Sequence, residues 1–169
     1  MGGTRLIFVT VGTHEQPFNR LIQYIDELKR DSEIDEEVFI QTGYSTYEPK
    51  YCQWSKMISY NEMLKKVEEA RIVITHGGPA SFIMPLQIGK IPIVVPRKQE
   101  YGEHINNHQV EFTRKIAKIK GNIIIVENIQ ILGIVISQYE ESVNDMGVEL
   151  QLNNKKFCDD FFQIVQDIR

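Results

Sequence analysis

The chain has 169 residues, 42% hydrophobic and 25% charged, the balance of a globular protein of one domain. Its formal net charge is -4 and its 19 Lys and Arg residues form no block, which excludes a nucleic-acid binder working through a basic face. The 2 cysteines, Cys52 and Cys158, lie far apart without metal-ligand spacing and read as the reduced thiols of a cytoplasmic protein.

Residues 1–4 lack a basic n-region, and the apolar run Leu6 to Val11 is too short for a signal peptide. Arg5 to Val11 is nearly continuous in apolar character and predicts a strand. Gly12 to Pro17 is a polar loop directly after it. Phe18, Leu21, Ile22, Ile25 and Leu28 recur at helical spacing and predict a helix over 18–31. Val38 to Gln41 predicts a second strand, ending at Thr42-Gly43. A loop bearing Tyr44, Tyr47 and Tyr51 follows, then a short strand at 54–59. Asn61 is the expected cap of a helix running to Ala70, with Met63, Leu64 and Val67 inside.

The stretch 72–96 organises the rest. Ile72 to Thr75 is a β-branched run that suits a strand buried on both faces. His76-Gly77-Gly78-Pro79 is a turn, and the next ten residues fit a helix with Pro79 in its first turn. Pro85 is the awkward residue inside it, and Gly89 closes it. Ile91 to Val95 is the next buried strand. His76, Lys90 and several prolines and glycines exclude this stretch as a membrane span. A glycine turn opening a helix suits an anion, because the helix end offers free N–H groups and a positive dipole. His76 and Ser81 add side-chain donors, so the expected ligand is a phosphate or diphosphate. The bland alternative is an ordinary turn whose glycines serve only geometry.

A polar segment, 97–109, again follows a strand. The helix starting within it runs to Lys118. Ile123 to Val126 is a last strand, Ile129 to Tyr139 is helical with Gly133 weakening it, and 146–154 is a linker. Phe157, Phe161, Ile164, Val165 and Ile168 stripe a terminal amphipathic helix at 153–169, suited to its own domain or to a partner. The alternation predicts an α/β fold: a Rossmann-like parallel sheet with helices on both faces, in a single domain over 1–169. The loops at 12–17, 76–81 and 97–109 then converge at one end of the sheet, where such folds bind ligands.

Four ordered segments, FVTVGTHEQPFNRLI at 8–22, THGGPASF at 75–82, GKIPIVVPR at 89–97 and EHINNHQVEF at 103–112, carry a resemblance. The chain resembles the carboxyl-terminal, donor-binding half of family 28 type GT-B glycosyltransferases. It is closer still to stand-alone halves: the catalytic subunit of the two-part dolichol-pathway N-acetylglucosaminyltransferase and its bacterial counterparts in capsule and exopolysaccharide synthesis. That resemblance implies that His76, Gly77, Gly78 and Ser81 hold the diphosphate of a UDP-sugar. It implies that Glu103 and His104 read sugar hydroxyls, with Asn107 and Gln109 behind them, and that Gly12 and Thr13 line the cleft. The family's ribose-binding Glu falls at Met84, which cannot accept ribose hydroxyls; Gln87, one turn later, is the candidate substitute.

The implied reaction is an inverting hexosyl transfer from a UDP-sugar, galactose first, then glucuronate or N-acetylglucosamine. The acceptor is a polyprenyl-diphosphate-linked sugar, and the new linkage is β. His14 is the candidate general base, since it sits in the first strand's loop and titrates near neutral pH. No Asp-x-Asp is present, so neither a metal nor another cofactor is expected. The resemblance also implies a membrane-anchored partner that supplies the other GT-B half and the acceptor site. It would recruit a cytoplasmic chain to the inner face of the plasma membrane. A hydrolase reading fails for want of a G-x-S-x-G elbow. A non-catalytic subunit that binds UDP-sugar or stabilises a partner enzyme stays open, as does a plain ligand-binding module.

Overall fold

The computed structural model describes residues 5–146. They form a six-stranded, all-parallel sheet of order β3-β2-β1-β4-β5-β6. The strands are β1 (Leu6–Thr10), β2 (Glu37–Gln41), β3 (Gln53–Ser55), β4 (Ile72–His76), β5 (Ile93–Val95) and β6 (Ile124–Ile125). The helices are α1 (Asn19–Arg30), α2 (Tyr60–Glu69), α3 (Pro79–Gln87), α4 (His108–Lys120), α5 (Leu132–Ser137) and α6 (Tyr139–Met146). This is the doubly wound Rossmann order, whose chain direction across the sheet reverses between β1 and β4.

Side-chain alternation along the strands builds two cores. Ile7, Val9, Ile72, Ile74, Ile93 and Val95 face α1, α5 and α6, meeting Leu21, Ile22, Ile25, Leu132 and Ile136. On the other face Phe8 and Val73 meet Val67 and Ala70 of α2. Val94 there meets Phe82, Leu86 and Ile116 of α3 and α4. The expected layers therefore hold.

Local differences have local causes. Ser59, not Asn61, caps α2: its Oγ accepts the Glu62 amide at 3.1 Å. Lys90 closes the other end of α2, donating to the carbonyls of Val67, Glu68 and Ala70. The strand expected at 54–59 is only Gln53–Ser55, and the Lys56 carbonyl just beyond it accepts both the Gly43 amide and Gln41 Nε2. The helix expected at 129–139 is a 3-10 turn, Ile129–Ile131, then α5 and α6. Gly133 packs against α1 there: a Cβ would lie 3.2 Å from Leu28 Cδ2, so a larger residue needs that side chain to shift. Met146, expected to open a linker, is helical and belongs to α6. The rest of that linker and the terminal helix expected at 153–169 lie outside the described residues.

The tyrosine-bearing loop is held by one buried carboxylate. Asp26 of α1 accepts Tyr47 Oη at 2.7 Å and the amides of Lys50 and Tyr51 at 2.9 and 2.8 Å. Burial opposes its charge, but these bonds and the Cys52 thiol outweigh that and hold the carboxyl below its usual range. Its stabilising effect is therefore present above the unfolded carboxylate range and lost as pH falls below it. Replacing Asp26→Ala leaves three part-buried donors without this acceptor and is expected to cost about 2 kcal/mol. A urea midpoint unchanged from the wild type would refute this.

Candidate functional site

His76 ends β4 at the switch point and is buried. Its ring lies between two backbone segments with no room for a side chain on either. A Cβ at Gly12 would overlap Nε2, and a Cβ at Gly78 would overlap Cε1. Gly12 also has φ +75, a conformation that favours glycine. The glycines of the turn thus serve the imidazole first. Nδ1 accepts the Gly78 amide at 3.2 Å, and Nε2 lies 2.9 Å from Ser81 Oγ. The Gly77 amide donates to Gln109 Oε1 at 3.1 Å.

Thr10 and Gln41 fix the backbone beneath. Thr10 Oγ1 donates to Gln41 Oε1 at 2.6 Å and accepts the Gly12 amide at 3.2 Å. Gln41 Nε2 donates to the Gly12 carbonyl at 3.2 Å.

Arg97 follows β5 and is wholly buried. Its Nη1 donates to the carbonyls of Gln16 and Glu103 at 2.7 and 3.0 Å, and its Nη2 to that of Val11 at 2.7 Å. The guanidinium also sits 5.0 Å from the Phe18 ring centre. It ties the loop after β1 to the loop after β5. Burial pulls it down to about 10, with Glu103 opposing, so it is cationic at neutral pH.

Three histidines stand near this cation, each with the same turn. Nδ1 of His14, His76 and His104 accepts the amide two residues on, from Gln16, Gly78 and Asn106, at 3.2, 3.2 and 3.3 Å. The His14 and His104 rings lie 4.6 Å apart. Burial lowers the pKa of all three, with Arg97 adding to the effect. For His76 the result is about 3. Each neutral ring is therefore the acceptor that its turn requires.

A cavity of about 980 Å³ opens at this end of the sheet, between α2 and α3. Thr10, Gly12, Thr13, His14, His76, Ser81 and Gln109 form its polar part. Met57, Ile58, Met63, Val67, Ile83 and Met84 form its apolar part, and Gln87 lies on its rim helix α3. Among the described residues no Asp, Glu, Lys or Arg lines it.

Of the expected site residues, Gly12, Thr13, His14, His76, Gly78, Ser81, Gln87 and Gln109 meet at this cavity, while Gly77, Glu103, His104 and Asn107 do not line it. His76 is a neutral packing centre instead of a free donor, and the Gly77 and Gly78 amides are turned inward. Glu103 is buried and spent: its oxygens accept Arg20 Nε and Nη2 at 2.9 and 3.0 Å and the Lys98 amide at 3.0 Å. Asn107 Oδ1 accepts the Gln99 amide at 3.0 Å. His14 Nδ1 is already an acceptor, so its neutral ring carries a proton on Nε2 and offers no free lone pair to an acceptor hydroxyl. The sequence reading passed over Thr10, Gln41 and Arg97. The available signal was a polar residue ending a largely apolar strand, as Thr10 and Gln41 do, or just past one, as Arg97 is.

A doubly wound sheet with a cavity at its switch point defines a Rossmann-like domain, and solved structures narrow its class. The glycosyltransferase SnogD from Streptomyces nogalater superimposes with a TM-score of 0.60 at 21% identity, covering 94% of this chain and 41% of that one. MurG from Acinetobacter baumannii gives 0.60 at 14% identity, covering 99% and 51%. The kitacinnamycin glycotransferase gives 0.62 at 16%, covering 96% and 43%. The fold is that of one GT-B half-domain, and the chain spans about half the length of these relatives or less. Residues 6–154 match the glycosyltransferase family 28 C-terminal domain, and the chain belongs to that family. Comparison with curated protein sequences gives no match.

The folded His76 pKa lies below the unfolded value of 6.5, so its stabilisation is complete above 6.5 and is lost as pH falls towards 3. At pH 5 the loss is about 2 kcal/mol, from about 1.4 kcal/mol per pH unit. A melting series from pH 7.5 to about 5 is expected to show a falling midpoint for the wild type. The slope should be shallower in His76→Asn, where Asn can still accept the Gly78 amide. Parallel slopes would exclude His76 as the source.

Proposed function

We propose that this chain is the donor-binding part of a glycosyltransferase that transfers a hexose from a UDP-sugar to a polyprenyl-diphosphate-linked sugar in capsule or exopolysaccharide synthesis. The observation that carries the reading is the N-terminus of α3, with the Ser81 hydroxyl in its first turn, opening onto the switch-point cavity. At this helix start Pro79 has no N–H and the Ser81 amide donates to the Gly78 carbonyl at 3.0 Å, so the Ala80 amide, the Ser81 hydroxyl and the helix dipole are what favour an anion. The diphosphate sits there, and the apolar part with Met63 and Met84 takes the uridine side.

Inverting displacement at the anomeric carbon leaves negative charge on UDP. Preorganised donors at the helix end stabilise that charge. The donor set contains no carboxylate, so the reading assigns no metal to the diphosphate. Galactose is the favoured hexose, with glucuronate and N-acetylglucosamine as the other donors. The base is His14, after its ring releases the Gln16 amide, or a residue of the partner.

A membrane-anchored partner supplies the other GT-B half, the acceptor site and the attachment to the inner face of the plasma membrane. No helix among the described residues is long and apolar enough to cross a membrane. The carboxylate-free cavity and Met84 favour a second reading, a non-catalytic subunit that binds UDP-sugar or stabilises the partner enzyme.

Calorimetric titration with UDP is expected to give saturable binding that EDTA does not change. Ser81→Ala should weaken it about tenfold, the order of one hydrogen bond to a charged group. A panel of UDP-sugars then ranks the donors. With partner-containing membranes, label should pass from UDP-galactose to the lipid fraction, and about tenfold more slowly with Ser81→Ala at low donor concentration. Binding without transfer favours the second reading; no UDP binding with or without the partner removes both.

A further inference from the structure

Gln109 is a buried amide that touches both glycine turn and strand end. Its Oε1 accepts two backbone amides, Gly77 at 3.1 Å and Arg97 at 3.0 Å. Two N–H groups at one end fix the oxygen there, so the side-chain NH2 is the end 3.3 Å from His76 Nδ1. Nδ1 already receives the Gly78 amide. A proton on Nδ1 would face two donors, so the proton of the neutral ring is on Nε2. Nε2–H then donates to Ser81 Oγ at 2.9 Å. With that oxygen occupied as an acceptor, the serine's own hydrogen is turned towards the cavity it lines.

We infer that Gln109 is a positioning residue: by holding His76 in the Nε2–H tautomer it makes Ser81 a hydrogen-bond donor to the ligand oxygen at the start of α3. The role rests on the nucleotide reading proposed above. It replaces the expectation that Gln109 itself contacts substrate. The polarity runs one way, from the Gly77 and Arg97 amides through Gln109, His76 and Ser81 to the ligand. An anion gains from a donor whose orientation is set before it arrives.

The test has two arms. In 15N-edited NMR of the whole chain near neutral pH, His76 is expected as the neutral Nε2–H tautomer. An Nδ1–H ring or an imidazolium would overturn the inference. In the second arm, UDP affinity is measured in a double-mutant cycle of Gln109→Met and Ser81→Ala. Gln109→Met is expected to move the His76 resonances towards a tautomer mixture and to weaken UDP about fivefold. In the Ser81→Ala background the same change should cost less than about twofold. Equal losses in both backgrounds would show that Gln109 does not act through Ser81, and would overturn the role. If Gln109→Met does not fold, Gln109→Glu replaces it in both arms, since a carboxylate still accepts the Gly77 and Arg97 amides but offers His76 Nδ1 no N–H; an unchanged Nε2–H ring in that variant would overturn the role. Failure of the wild type to bind UDP removes the nucleotide reading, whereas UDP binding beside an Nδ1–H ring removes only the role of Gln109.

Discussion

The functional end of this domain depends on a buried cation that touches no carboxylate. Burying a charge costs several kcal/mol unless dipoles replace its water. Arg97 finds them in the carbonyls of Val11, Gln16 and Glu103, and so fixes the path of two loops that share no strand contact. Glu103 contributes its carbonyl to Arg97 while its carboxylate serves Arg20 and the Lys98 amide. The acidic residue expected to meet a sugar is thereby part of the frame.

Burial, with the same cation adding to it, sets the protonation of the three rings nearby. His14, His76 and His104 each accept an amide through Nδ1, and a nearby positive charge disfavours a proton at that atom. Loop geometry and protonation state are therefore one property here. Among the described residues no charged side chain lines the cavity above, and the helix end is the fixed dipole at the start of α3.

Much of the fold was legible because burial in a parallel sheet writes continuous apolar runs, and β1, β4 and β5 are such runs. Helical periodicity located α1 and α2 for the same reason. Boundaries were less legible where side chains compete with the backbone. Ser59 outcompeted Asn61 as a cap, and Gly133, read as a weakness, is a close contact with Leu28. At the site, the loops at 12–17 and 76–81 and Gln109 do meet at one cavity, but several of the side chains named within them are bonded to the protein itself. A sequence shows that histidine, glycine and glutamate are present. It does not show whether their hydrogen-bonding capacity faces a ligand or is consumed within the protein. For His76, Gly77 and Glu103 it is consumed.

The ring of His76 fills the space that side chains at positions 12 and 78 would occupy. These three positions, far apart in the chain, form a single unit of inheritance. Neither glycine can drift to a larger residue while the imidazole stays. A smaller residue at 76 would make room at both but would remove the acceptor that holds the turn, and position 12 would still favour glycine through its φ of +75. Change at this corner of the domain must therefore come as a joint replacement, and a lineage that alters one member alone passes through a less stable intermediate.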